Sequence, residues 1–163
     1  MINPYKAARE DLGLSQASVA EASNVSRHYV LRVEQGLFHV PSPRLSTTLN
    51  ISHMELTDTY HEWQHITRAL AAPSVAEGVE KYFQSVLVPL QNKHPHIKLR
   101  QCITDSQVAF CILLKIQPSR LSAYEKSKGI TLPLFLKEAY FDCGVTPEQL
   151  NRIESRFRGA TLR

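Results

Sequence analysis

The stretch LSQASVAEASNVSRHYVLRVEQG, residues 14–36, spells out two short helices joined by a tight turn. Ser15 is placed to cap one helix, Asn24-Val25 to turn the chain, and Ser26 to cap the next, which Gly36 stops. Ala20 is small enough to let the two helices approach closely, Val25 plugs the turn, and Val30 and Val33 face inward. Arg27, His28 and Arg32 are left pointing outward from a helix running from about Ser26 to Gln35. Such a face suits the major groove of DNA.

Working outward, Asn3-Pro4 opens a helix that Leu12-Gly13 closes. Pro41 and Pro43 keep the chain out of helix until about Arg44, and a fourth helix follows to about Asn50. Met54, Leu56, Tyr60, Trp63, Ile66 and Leu70 recur at helical spacing from His53 to Ala71, where Ala72-Pro73 breaks the pattern. Ser74-Val-Ala-Glu77 has the spacing of a capping box. It leads into a packing helix with the stripe Val75, Val79, Tyr82, Phe83, Val86, Leu87 and Leu90, ended by Pro89 and Pro95. Lys93, His94 and His96 then read as a solvated, proline-bounded junction between two halves. Short helices are expected again at about 98–102, 105–113, 118–127, 132–143 and 147–158, with no alternating strand pattern to compete. The expected fold class is all-α.

On these residues the segment resembles the helix-turn-helix of the Cro and lambda-repressor-like family, also called the XRE family, over about residues 4 to 57. Spacing, small residue, turn plug and the terminal Glu34-Gln-Gly36 coincide. The resemblance implies that Gln16 heads the family's second helix and that Arg27, His28 and Tyr29 hold groove-reading positions, with Arg32 a further one a turn on. It also implies an internal ion pair between Arg9 and Glu34. Arg can donate two hydrogen bonds to guanine O6 and N7, Gln can bond adenine bidentately, and Ser15 with the helix N-termini can anchor phosphates. The competing readings are a solvated basic face for Arg27 and Arg32, and packing against the junction of the third and fourth helices for His28 and Tyr29.

The same template recurs in the second half in degraded form. Val108-Ala109 is matched to Val19-Ala20, Ile116 to Val25, Leu121 to Val30 and Glu125 to Glu34, with Lys98 opposite Arg9. From Val25 to Glu34 and from Ile116 to Glu125 the spacing is nine in both. This alignment makes the second turn two residues longer, sets Asp105 where Gln16 stands, and replaces Arg27 by Pro118 and Arg32 by Ala123. A carboxylate facing phosphate is unfavourable, yet Lys115, Ser119, Arg120, Ser122, Lys126 and Lys128 surround the expected helix and can grip phosphate. The expected organisation is a helix-turn-helix domain at 1–72, a linker helix at 73–97, and a second, degenerate helix-turn-helix domain at 98–163.

Charge follows the same division. Residues 1–80 carry 6 Lys/Arg against 9 Asp/Glu, residues 81–163 carry 13 against 6, and the whole chain is +4. A basic half points to a polyanionic partner, with a solvated basic surface as the plainer alternative. Cys102, Cys111 and Cys143 are odd in number and lack Cys-x-x-Cys spacing, so reduced, mostly buried thiols are expected. No apolar run of membrane length and no basic flank with an apolar run at the start appear, which places the chain in the cytoplasm.

His61-Glu62-Trp63-Gln64-His65 has the H-E-x-x-H spacing of a zinc hydrolase helix. Trp63 and Gln64 are bulky and polar where such helices are small and apolar, and no distinct third ligand stands out beyond Glu77 or Glu80. Glycine-rich phosphate loops and Gly-x-Ser-x-Gly elbows are absent. No catalytic residue, metal or cofactor is assigned. Arg152, Arg156, Arg158 and Arg163 read as a phosphate-contacting helix end and tail, or as a solvated face. The expectation is a sequence-specific regulator of a double-stranded DNA operator, a phage-type repressor by resemblance, acting as a homodimer or a tandem-domain monomer and without a membrane. The alternatives are an antitoxin or phage regulatory protein whose C-terminal half binds a protein, and, more remotely, the zinc hydrolase.

Overall fold

Asn3 starts the first helix as its place before Pro4 requires: its side chain accepts from the backbone N–H groups of Tyr5 and Lys6 while its amide donates to the Val33 carbonyl. The structure is a computed structural model that describes residues 1–86 and 93–161. Leu87, Pro89, Leu90 and Arg163, named above, lie outside the described residues. The described chain is helical and divides into two compact units, Met1–Thr67 and Arg68–Arg163.

The first unit holds α1 (Pro4–Asp11), α2 (Gln16–Ala22), α3 (Arg27–Glu34), α4 (Pro43–Thr48) and most of α5 (His53–Leu70). Caps set the boundaries: Ser15, Ser26 and Ser42 each accept a backbone N–H from the first turn they precede. Asn24 takes the left-handed conformation (φ 51°) in the α2–α3 turn, a geometry that Asn tolerates better than most side chains. Val19, Ala20, Val30 and Val33 are buried between the helices with Leu45, Leu49 and Leu56. Tyr60 and Trp63 of α5 close this core, with Tyr5 edge-on to Tyr60 at 5.3 Å. From α5, Gln64 donates to the carbonyls of Gly36 (2.8 Å) and Phe38 (3.0 Å), pinning the α3–α4 connection.

The second unit holds α6 (Ala72–Gln84), α7 (Pro95–Ile103), α8 (Gln107–Leu114), α9 (Pro118–Lys126), α10 (Leu134–Asp142) and α11 (Pro147–Thr161). Its core is built on His96, Leu99, Phe110, Leu121, Leu136, Tyr140, Ile153 and Phe157. α6 packs against α7 at Gly78, where an added Cβ would meet the Ile103 Cγ1 and lie 2.7 Å from the Ile103 Cα. Two arginines close helix ends by donating to orphaned carbonyls. Arg68 reaches those of Leu114 (2.7 Å) and Lys115 (3.1 Å) and pairs with Asp142, and Arg156 reaches those of Phe83 (2.9 Å) and Ser85 (2.8 Å).

Three expectations are corrected. The capping box at Ser74 is not used: α6 starts a turn earlier, at Ala72, because Pro73 is accommodated in its first turn. His94 and His96 are buried rather than solvated, since Pro95 opens a helix there instead of marking a loop; His94 caps it. The turn of the second unit is no longer than that of the first. Lys115 adopts the conformation of Asn24 (φ 51° at both), and the bond from the Ile116 N–H to the Cys111 carbonyl repeats that from Val25 to Ala20.

Candidate nucleic-acid interface

A buried charge network frames the outward face of α3. Glu34, at the end of that helix, accepts from Arg9 Nε (2.6 Å) and Arg9 Nη2 (3.3 Å), and from Gln16 Nε2 (2.8 Å). Arg9 Nη1 also donates to the Leu14 carbonyl (2.8 Å), so one guanidinium joins α1, the α1–α2 turn and α3. Hydrogen bonding to Glu34 holds the Arg9 guanidinium above its ordinary pKa against the opposing cost of burial. The pair expected of Arg9 and Glu34 is thus present, and Gln16 is tied into it.

Beside this network, on the outward part of α3, Arg27 and His28 are exposed and Arg32 is half-buried. None of these three side chains enters a hydrogen bond or ion pair among the described residues. Ser15 is exposed at the head of α2, its Oγ accepting the Ser18 N–H at 3.0 Å. Tyr29 leaves this group. Its hydroxyl accepts the Ser42 N–H (2.8 Å) and its ring lies 4.5 Å from that of Phe38, so it packs into the α3–α4 connection. Sequence reasoning passed over Leu31, which is exposed on the same helix.

The second unit repeats the frame. Glu125 accepts from Arg100 Nε (3.0 Å) and lies at 3.4 Å from Gln107 Nε2. Each member stands 91 positions after its counterpart: 9 and 100, 16 and 107, 34 and 125. The alignment drawn from Val108-Ala109 is therefore two residues out of register. Phe110 and Cys111 occupy the buried places of Val19 and Ala20, Arg100 rather than Lys98 matches Arg9, and Gln107 rather than Asp105 matches Gln16. Asp105 precedes the Ser106 cap, outside the helix. The pattern of Arg, Gln and Glu at equal spacing in both halves was the signal that could have found this; matching small residues obscured it.

His96 adds a member with no counterpart in the first unit, where Tyr5 stands. Its Nδ1 is 2.9 Å from Glu125 Oε1 and its Nε2 is 3.1 Å from the Tyr140 hydroxyl. Burial lowers the imidazole's pKa. The neutral ring then carries its proton on Nδ1, donates to the carboxylate and accepts from the tyrosine. Burial alone would raise the Glu125 carboxyl, but its bonds with His96 and Arg100 outweigh that and hold it below the ordinary value.

Of the second-unit site residues, Ser119, Arg120, Lys126 and Lys128 are exposed and Ser122 is half-buried. The Arg120 guanidinium lies 4.5 Å over the Phe135 ring, a stacking that fixes the side chain while leaving its charge outside. Lys115 is half-buried at the C-cap of α8, and desolvation lowers its pKa. Arg156 is engaged with the end of α6, and Arg152 lies 4.0 Å over Phe83, so neither belongs to a free helix end.

The H-E-x-x-H segment lies on α5. His61 Nε2 sits 2.7 Å from the His39 carbonyl and the two rings stack at 5.0 Å. Trp63 and Gln64 are buried, and His65 and Glu62 are exposed. Among the described residues no three His, Cys, Asp or Glu side chains come together as a metal site, and no helix is long and apolar enough to cross a membrane.

No curated protein and no solved structure matches the chain. Residues 6–53 match the family model described as Helix-turn-helix, and the first unit accordingly carries a helix-turn-helix.

Proposed function

We propose that the chain is a sequence-specific double-stranded DNA-binding transcriptional regulator that represses by occupying an operator, with α3 as the reading helix. One observation carries this: Arg27, His28 and Arg32 stand unengaged on a helix that the Arg9–Gln16–Glu34 network holds in place. The lock fixes the helix backbone, so on meeting DNA only the side chains of its outward arginines have to be ordered.

The second unit is a degenerate copy of the same domain. The shared register of Arg100, Gln107 and Glu125 supports this, as does the turn at Lys115. Its helix α9 offers Pro118, Ser119, Ser122 and Ala123 where α3 offers Arg27, His28, Leu31 and Arg32, so it contributes charge rather than base reading. Residues 68–163 hold 14 Lys/Arg against 8 Asp/Glu, whereas residues 1–67 hold 5 against 7. Arg120, Lys126 and Lys128 grip phosphate, and two unlike heads on one chain suit an asymmetric operator.

A protein-binding second unit is the alternative. It is favoured by Val108 and Leu134, apolar and exposed at the heads of α8 and α10. Binding-site selection with the full chain, followed by footprinting and a salt series, tests the proposal. The expected outcome is a selected, non-palindromic site with affinity falling steeply in salt. A symmetric palindrome protected by two chains overturns the two-headed reading, and failure to select any sequence overturns the whole.

A further inference from the structure

Leu31 is the only large apolar side chain left exposed on α3, at 37%. On a helix advancing about 100° per residue, Leu31 sits about 100° from Val30 and about 160° from Val33. It therefore projects away from the buried stripe those two valines form. Arg27 precedes it by four residues and His28 by three, so both are neighbours on the helix surface, and Arg32 follows directly. An apolar group thus sits within the patch of polar side chains proposed to enter the groove.

A leucine has no hydrogen bond to offer a base edge. In the major groove the group that answers an aliphatic side chain is the 5-methyl of thymine, which no other DNA base carries. We propose that Leu31 is a specificity-determining residue that packs on a thymine methyl in the operator; this rests on α3 being the reading helix. Side chains one helical turn apart have Cβ atoms about 5–6 Å from each other, and base pairs rise about 3.4 Å. The thymine accordingly lies within about two base pairs of the contact made by Arg27.

The test uses the full chain, the Leu31→Ala and Leu31→Gln variants, and the operator obtained by selection. Each thymine is replaced in turn by deoxyuridine, which keeps every hydrogen-bonding group and lacks only the methyl. At one position uracil is expected to weaken the unsubstituted protein about fourfold, the worth of one buried methyl-sized group. The same replacement leaves both variants unchanged there, while every other position costs all three proteins alike. Because Leu31 is exposed, both variants keep the far-ultraviolet dichroism and thermal midpoint of the parent. Equal uracil penalties in all three proteins at every position, or a selected site without thymine near the Arg27 contact, overturn the thymine contact and leave the reading of α3 standing. A chain that selects no sequence overturns both.

Discussion

Glu34 accepts from Arg9 and Gln16 with its side chain only 6% exposed, so its removal strands a guanidinium and an amide together. Glu34→Ala is expected to destabilise the first unit by about 3 kcal/mol, the lower end of what breaking a buried pair costs, as read from urea unfolding. Arg27 and Arg32 are the opposite case. Nothing inside the unit depends on them, so Arg27→Ala and Arg32→Ala should each weaken operator binding by about 1–3 kcal/mol where the contact is bidentate, with the thermal midpoint unmoved. Unchanged affinity in both would remove α3 from the interface. His96 gives a pH dependence whose sign follows from its burial. Its folded pKa lies below the ordinary 6.5, so the unfolded chain binds the extra proton first and stability falls as pH drops through 6.5. The Glu125 contribution, with a folded pKa lowered from 4.5, is lost only at more acid pH. His96→Phe is expected to be less stable throughout, yet to lose the decline between about pH 7 and pH 5 in denaturant midpoints.

At the scale of elements, what was legible in the sequence is what local chemistry decides. Ser15, Ser26, Asn24 and Gly36 cap or turn the chain through their own side chains or their lack of one, and the helices begin and end where those residues put them. For Tyr29 the sequence left groove reading and packing at the α3–α4 junction both open, because the choice depends on Phe38 and on the Ser42 N–H, which the fold brings from the following connection. The register of the second unit was missed for a related reason. Small side chains recur by chance, whereas the partnership of Arg100 and Gln107 with Glu125 exists only once the helices are packed. Gly78 is another residue whose role only packing reveals. Gly78→Ala would place a Cβ 2.7 Å from the Ile103 Cα and 2.9 Å from the Cys102 carbonyl oxygen, so α6 and α7 must separate. Helix propensity favours alanine by about 1 kcal/mol, and overpacking costs about 1–3 kcal/mol. A net loss of stability in the melting curve is expected; a gain would mean that the two helices part easily.

Over the whole molecule, charge is divided between the units. The first is slightly acidic and holds the outward arginines of α3; the second is basic and offers Arg120 and Lys126 on α9 and Lys128 just beyond it. Replacing Arg120 and Lys126 together by Ala should lower affinity for every sequence alike and reduce the slope of log affinity against log salt by about one for each phosphate that is no longer neutralised. If the slope holds and a stable complex with another protein dissociates instead, the second unit is a partner-binding module.

The recurrence of Arg, Gln and Glu at one fixed distance separates scaffolding from recognition. In each unit the residues that hold the helices together are a different set from those that face outward, and neither set constrains the other's chemistry. A domain built this way can exchange its contact surface while its architecture stays the same. Arg27 and Arg32 of α3 correspond in register to Pro118 and Ala123 of α9, so the same frame presents two unlike outward faces.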